Sequence, residues 1–380
     1  MDVAISSGGP WHGLSLCQGL EKLDVDYKLY TIFVDAKKQG LKPSHVSNHA
    51  YFLADFVLNR TKFLRSVRDS AGWFARKHDL FDRLVSSEIA KDNPKLLHAW
   101  AGFGLRTHSK LSKKNPKIPL VIESGTTHLL HQEKLLVEEY AKLGIPYSPQ
   151  PQFFLSKVAA EYKRASKIVV PSKFVFDSFV SQGIGKEKLA LVPYGADHPA
   201  NVQKKKDDVF RVMFAGGQQP VRKGLCYLLD AFAKAELPDS ELIILGRGVS
   251  EDMSAFVPKN SQNIRFIDKV SPEKLGNLYS QSSVFCLPSI EEGSARVVYE
   301  AMGHGTPVIA TPNAGSVVRN GKDGFIVPIR NAKAIAQKLV FLHENESKRR
   351  KMGQSARQYA TRFTWQRYCN GVASLYKELL

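Results

Sequence analysis

The second half of the chain alternates short apolar runs with helical patterns. "FRVMFAGG", "SELIILGRG", "NIRFID", "SVFCLPS", "TPVIAT" and "GFIVP" are the apolar runs, with "GLCYLLDAFAKAE", "SPEKLGNLYSQ" and "ARVVYEAM" among the segments between them. Strands that are apolar along their whole length suit burial on both faces, and helices between them suit crossovers, so the pattern predicts a parallel, doubly wound sheet. The first half repeats it less regularly through "DVAISS", "YKLYTIF", "KLLHAW", "PLVIES", "KIVVPS" and "LALVPYG". The economical reading is α/β with two Rossmann-like domains, residues 1–200 and 201–362. The aperiodic, charged "GADHPANVQKKKDD" marks a linker near 196–208.

Ligands of open parallel sheets bind beyond the carboxyl ends of the strands, so the loops that follow strands are the candidate sites. "SSGGPWHG" after the first strand brings Gly8 and Gly9 to a helix start, where bare backbone can approach a ligand, although a tight strand-to-helix turn needs glycine as well. "ESGTTHLLHQ" groups Glu123, His128 and His131. Its H-x-x-H spacing, with no other clustered Cys or His, matches no structural zinc pattern, and a polar ligand contact by His128 is the better expectation. In "GGQQPVRKG", Gly216 and Gly217 expose backbone while Arg222 and Lys223 bring two cations to a helix start, which makes an anion site. Asp24 and Asp26 form a D-x-D away from these loops, and a solvated turn explains them.

The densest chemistry is "SIEEGSARVVYEAMGHGTPVIAT", with Glu292 and Glu300 eight positions apart. On one helix, steps of roughly 100° would leave these side chains about 80° apart and more than two turns separated. Strand, turn and helix accommodate them better: Glu292 falls in the loop, Glu300 inside "ARVVYEAM", and Gly303 and Gly305 end the helix. A helix N-terminus between two carboxylates suits a ligand with a central phosphate and hydroxyls at both ends.

Composition narrows the class. With 380 residues, 43% of them hydrophobic, the chain can bury two cores. No leader pattern and no apolar run of membrane-spanning length points to a cytoplasmic protein. Cys17, Cys226, Cys286 and Cys369 stand far apart and read as buried thiols. The net charge of +18 divides as +9 and +9 between residues 1–200 and 201–380, so it is a diffuse field attractive to phosphate and not a basic tail. Nucleic acid is disfavoured as the partner, because the best-defined motif carries carboxylates that oppose phosphate backbone. A nicotinamide dehydrogenase should show G-x-G-x-x-G with an acidic residue about 20 positions on, which is missing.

E-x7-E at Glu292 and Glu300, followed by "AMGHGTPVIAT" and "GKDGFIVP", resembles the retaining GT-B glycosyltransferases of family 4, as do "VPYGAD", "RKG", "GRG" and "LGNLYSQSSVFCLPS". Residues 190–345 carry most of the resemblance. It implies two domains facing a cleft and a C-terminal helix, residues 363–380, that packs back on the N-terminal domain. It implies a nucleotide-sugar donor held mainly by the C-terminal domain, with a UDP- or GDP-sugar as the type, and a glycan or lipid-linked acceptor. Glu300 would take the ribose hydroxyls, and Arg222 with Lys223 the diphosphate. Backbone N–H groups across Gly293, Ser294, Ala295, Arg296, Val297 and Val298 would support phosphate and sugar. Glu292 and His128 would contact the transferred sugar, Gly8 and Gly9 would close on the leaving group, and Lys269 and Val270 would flank the base. No metal or other cofactor is expected. Three departures stand out: Gly217 where the family often has arginine, Asp268 and Lys269 where it has glycine before the base-binding valine, and Gly293, Ser294, Ala295 in place of G-F-G. A nucleotide-sugar binder without activity has the same motifs.

Residues 59–81 mix Arg60, Lys62, Arg65, Arg68, Arg76 and Lys77 with Phe63, Leu64, Val67, Trp73 and Phe74, and "SKLSKKNPK" follows at 109–117. A basic amphipathic helix either packs on its own domain or lies on an anionic bilayer, which would make the protein peripheral on the inner face of the membrane.

Overall fold

Val3–Ser6 is buried at every position, as a strand covered on both faces must be, and it is an interior strand of the first of two sheets. The computed structural model describes residues 1–9, 11–32, 34–49, 70–202, 209–216, 219–246, 256–257, 262–268 and 270–380. Gly217, Lys269 and residues 59–69 of the basic stretch therefore lie outside the described residues.

In the N-terminal domain the strands are β1 Val3–Ser6, β2 Tyr27–Thr31, β3 Val46–Asn48, β4 Leu96–Trp100, β5 Leu120–Glu123, β6 Lys167–Val170 and β7 Leu189–Leu191, in the order β3-β2-β1-β4-β5-β6-β7. Every described pairing is parallel. The C-terminal domain holds β8 Phe210–Ala215, β9 Ser240–Leu245, β10 Ile264–Ile267, β11 Val284–Leu287, β12 Val308–Ala310 and β13 Gly324–Ile326, in the order β10-β9-β8-β11-β12-β13. Both orders place the switch point beside the first strand of the sheet, so the loops after β1 and β4, and after β8 and β11, open one crevice in each domain. All twelve strands expected from the apolar runs form; β3, short and polar, is additional.

The final helix, Trp365–Leu379, belongs to the first core. Tyr368, Cys369, Val372, Leu375 and Tyr376 are buried among β1, β4 and the helix Trp11–Lys22, so the chain returns to the domain in which it began. Gly19 permits this approach, since an added Cβ would overlap the Cys369 side chain. All four cysteines are buried and free.

Candidate functional site

A cavity of about 1000 Å³ lies between the domains. His12, Trp100, Glu123 and Thr126 line it from loops and strand ends of the first sheet; Arg222, Lys223, Glu292, Ser294 and Arg296 line it from the second. Those elements leave the carboxyl ends of β1, β4, β5, β8 and β11, where parallel sheets bind ligands.

The E-x7-E segment folds as its spacing implies. Helix Arg296–Gly303 starts after Ala295, leaving Glu292 in the loop behind β11 and Glu300 on the helix. Gly293 sits against the other domain, and a Cβ there would overlap the carbonyl oxygen of Gly125. Its own carbonyl accepts from Ser172 Oγ at 2.6 Å. The two domains thus meet backbone to backbone at this point.

Lys223 and Glu292 form an ion pair at 3.2 Å on the cleft wall, with side chains 17% and 15% exposed. Lys223 is delivered by Gly224, whose φ of 72° is available to glycine at little cost. A side chain at Gly224 would also overlap the carbonyl of Pro288, so the glycine lets the loop before helix Leu225–Ala235 lie on the loop after β11.

Arg222 lines the same wall but is already engaged. Its guanidinium meets Glu291 Oε2 at 2.5 Å and donates to the Glu291 carbonyl at 3.0 Å and to Gln219 at 2.8 Å. Glu291 is fully buried and also accepts from Thr127 N and Oγ1 at 3.1 and 2.7 Å and from Gln132 at 2.9 Å. Burial pushes the Glu291 carboxyl up, but Arg222 and the Gln132 and Thr127 donors outweigh it and hold the group below the usual carboxylate range. Burial likewise opposes charge on Arg222, and Glu291 with Glu292 raises it all the same. Arg222, expected at the diphosphate, thus joins a charged clamp across the two domains while still lining the cleft, where Lys223 and Arg296 are further cations, each paired with a glutamate.

Glu300 is held by Tyr279, which donates at 3.0 Å, and by Arg296 Nε at 3.1 Å. It stands one helical turn behind Arg296 and Val297, which line the cavity. Of the expected backbone donors, Ala295 N–H bonds the Ala314 carbonyl and Val298 N–H the Ala295 carbonyl. Among the described residues, no hydrogen bond engages the N–H groups of Ser294, Arg296 and Val297. Gly293 N–H is likewise without a hydrogen bond among the described residues, so four of the six expected groups, all but Ala295 and Val298, stand open around the helix start. Val298's side chain belongs to the core, and Val270 packs at that core's edge.

His128 does not line the cavity, contrary to the reading that places it against a sugar. It precedes helix Leu129–Leu143 and is 5% exposed, with its ring 5.0 Å from Tyr162 and 5.1 Å from Phe179. Burial pulls its pKa down to about 4, so the ring is neutral near neutrality. Two histidines line the cleft among the described residues, His78 and His12; the His12 ring lies 4.1 Å from Tyr194 at a tilt of 38°, and its pKa is lowered to about 4 by burial against the pull of Glu123. The only hint of His12 in the sequence was its place in the glycine-rich loop. Gly8 and Gly9 lie behind that wall: a Cβ on Gly8 would overlap the Phe103 ring, and Phe103 is what faces the cleft. Gly216 is likewise behind it, its N–H bonded to Leu245 and its Cα against Phe214.

Glu123 ends β5 and is fully buried, with Oε2 3.4 Å from His98 Nε2; His98 Nδ1 in turn meets the Tyr376 hydroxyl at 2.5 Å. The returning helix thus buttresses the cleft wall from behind. Asp24 and Asp26 are far from this chemistry: Asp24 holds a φ of 52° in a turn, and Asp26 pairs with the terminal ammonium at 3.1 Å.

Residues 209–345 match the family model described as Glycosyl transferases group 1. A phosphatidyl-myo-inositol mannosyltransferase of Mycobacterium leprae is 28% identical over 203 residues, 52% of each chain, and spore coat protein SA of Bacillus subtilis is 30% identical over 44% of this chain and 48% of its own. The chain thus spans about half the length of the relatives it matches. Among solved structures, a sucrose-phosphate synthase from Thermosynechococcus elongatus superposes over 100% of this chain and 99% of its own, with a TM-score of 0.74 at 18% identity. Anabaena HepE in complex with UDP and glucose does so over 100% of both chains, at 0.65 and 18%. The likeness establishes the GT-B fold, two parallel-sheet domains facing a cleft.

Proposed function

Starting from a C-terminal domain that belongs to the group 1 glycosyl transferases, we propose that this protein moves a sugar from a nucleotide-sugar donor to a hydroxyl of a glycan or lipid-linked acceptor, with retention of anomeric configuration. The observation that carries the reading is the Lys223–Glu292 pair on the cleft wall beside the open N–H groups of Ser294, Arg296 and Val297. As the bond from C1 to the diphosphate breaks, positive charge grows on the sugar and negative charge on the leaving oxygens. A fixed ammonium and a helix start aimed at those oxygens stabilise the charge where it develops. The diphosphate competes with Glu292 for Lys223, which frees the carboxylate to bind hydroxyls of the transferred sugar. Glu300, turning from Arg296, takes the ribose hydroxyls as a two-oxygen acceptor. The acceptor hydroxyl enters from the N-terminal side past His12 and gives its proton to the departing phosphate oxygen. Glu292 is then a positioning group for the sugar, unlike the acid and base pair of a glycosidase.

An acceptor at a membrane surface is supported by helix Ala71–Asp92, where Leu80 and Leu84 are 45% and 47% exposed among the exposed Arg76 and Arg83. No helix among the described residues is long and apolar enough to cross a membrane; the contact proposed is a peripheral one. Proton NMR of reactions with UDP-, GDP- and ADP-sugars tests the transfer reading. An α-linked donor should yield nucleoside diphosphate and an α-configured product. Release of nucleotide with a β product would refute retention, and no release from any donor would refute transfer.

A further inference from the structure

A second cavity, of about 690 Å³, opens on the N-terminal domain and shares no lining residue with the cleft. Arg106, Lys110, Lys113, Lys157 and Arg164 line it, against Asp79 as the one lining carboxylate among the described residues. We propose that this pocket is an anion site of its own, taking the oxyanion of a phosphate or phosphate ester.

The charges are arranged, not merely crowded. Arg106 is gripped by Asp79 in a two-point pair, Nε at 2.7 Å and a terminal nitrogen at 2.8 Å, which fixes the plane of its guanidinium. Lys157 is 6% exposed, 3.0 Å from the buried Asp82 and 3.4 Å from Asp79. Asp82 is also held by Arg106 N, Thr107 N and Thr107 Oγ1 at 2.9, 3.0 and 2.8 Å, so the pocket floor is rigid. Two of the five cations are thereby matched. The other three, Lys110, Lys113 and Arg164, pair with no carboxylate among the described residues; Lys110 bonds Ser87 Oγ at 2.7 Å and Arg164 bonds Ser109 Oγ at 2.5 Å. Three unmatched positive charges on a concave wall repel one another and concentrate anions there.

The shape selects the anion. A tetrahedral oxyanion can meet a planar guanidinium with two oxygens and still reach ammonium groups from other directions, which a flat carboxylate does less completely. An open pocket of this size, with its cations gathered round one concavity, suits one such group better than the continuous backbone of a nucleic acid, which asks for a stripe. Leu105 and the 47% exposed Phe153 form an apolar side to the mouth, suited to a phosphate ester with an uncharged body. The same chemistry is met by a lipid headgroup and by free phosphate.

Phosphorus NMR titration of the full chain with inorganic phosphate, and separately with short-chain phosphatidic acid below its micelle concentration, tests the site. The proposal does not depend on the donor reading, so Lys223→Ala is titrated alongside. Saturable binding should persist in Lys223→Ala and weaken about tenfold or more in Lys110→Ala/Lys113→Ala/Arg164→Ala, whose melting temperature should be unchanged because all three side chains are exposed. Tighter binding of the lipid assigns the site to a headgroup, and equal binding assigns it to free phosphate. Binding that disappears with Lys223→Ala, binding that the triple variant leaves intact, or no binding of either probe overturns the proposal.

Discussion

Arg222 and Glu291 are locked together at 2.5 Å, and through Thr127 and Gln132 the same carboxylate reaches the other domain. Of the two adjacent glutamates, Glu291 is therefore the structural one and Glu292 the one that faces the cleft. Removing one partner of a buried pair leaves an uncompensated charge. Glu291→Ala should accordingly cost about 3–5 kcal/mol, whereas Glu292→Ala, breaking a partly exposed pair, should cost below about 1 kcal/mol. Denaturant unfolding of the two variants checks this, and equal losses would contradict it.

Activity should divide the other way. Lys223→Ala should lower turnover by about 100-fold or more, the scale of losing one group that stabilises developing charge, and Glu292→Ala by about 100-fold through misplacement of the sugar. Their folds should remain intact by circular dichroism. Steady-state kinetics on a donor found to support transfer is the check.

Gly293 sets the closest approach of the domains. A methyl group there must displace the Gly125 carbonyl, so Gly293→Ala should separate the loops after β5 and β11. Small-angle scattering should show a wider particle, and the donor affinity should fall although no charged group has been touched.

The pH dependence has a defined sign. His12 and His128 have folded pKa values lowered to about 4, from an ordinary 6.5. Between those limits the unfolded chain binds protons that the folded chain does not, so their contribution to stability is full above pH 6.5 and is lost as pH falls toward 4. His128→Phe should flatten the stability profile by up to about 1.4 kcal/mol per pH unit in that window. Glu291, held below the usual carboxylate range, works in stronger acid: its contribution is full above the ordinary carboxylate pKa and is lost only as pH falls through the lowered value. A pH series of melting temperatures for wild type and His128→Phe separates the two effects.

The fold was legible because doubly buried strands are apolar at every position, a signal that "VFCL" and "VAIS" carry without help from tertiary context. The strand Val46–Asn48 was not, since a short polar edge has no such run. The spacing of Glu292 and Glu300 correctly separated loop from helix, because periodicity constrains it. Periodicity says nothing about which of two neighbouring glutamates crosses to Thr127, or whether an arginine beside the cleft is already spent on a carboxylate. His128 and His12 were equally placed behind strands. Burial against Tyr162 and Phe179 decided between them, and that contact joins residues far apart in sequence.

Nucleotide binding in the cleft is tested most directly by a thermal-shift panel of UDP, GDP, ADP and their sugars against wild type and Glu300→Ala. A ligand that binds only the folded state at 100 times its dissociation constant adds about 2.7 kcal/mol. One nucleotide series should raise the wild-type melting temperature by several degrees, and Glu300→Ala should lose most of that shift while its unliganded melting temperature stays near wild type. If no nucleotide shifts the wild type, or the shift survives in Glu300→Ala undiminished, the cleft is not the nucleotide-sugar site argued for it.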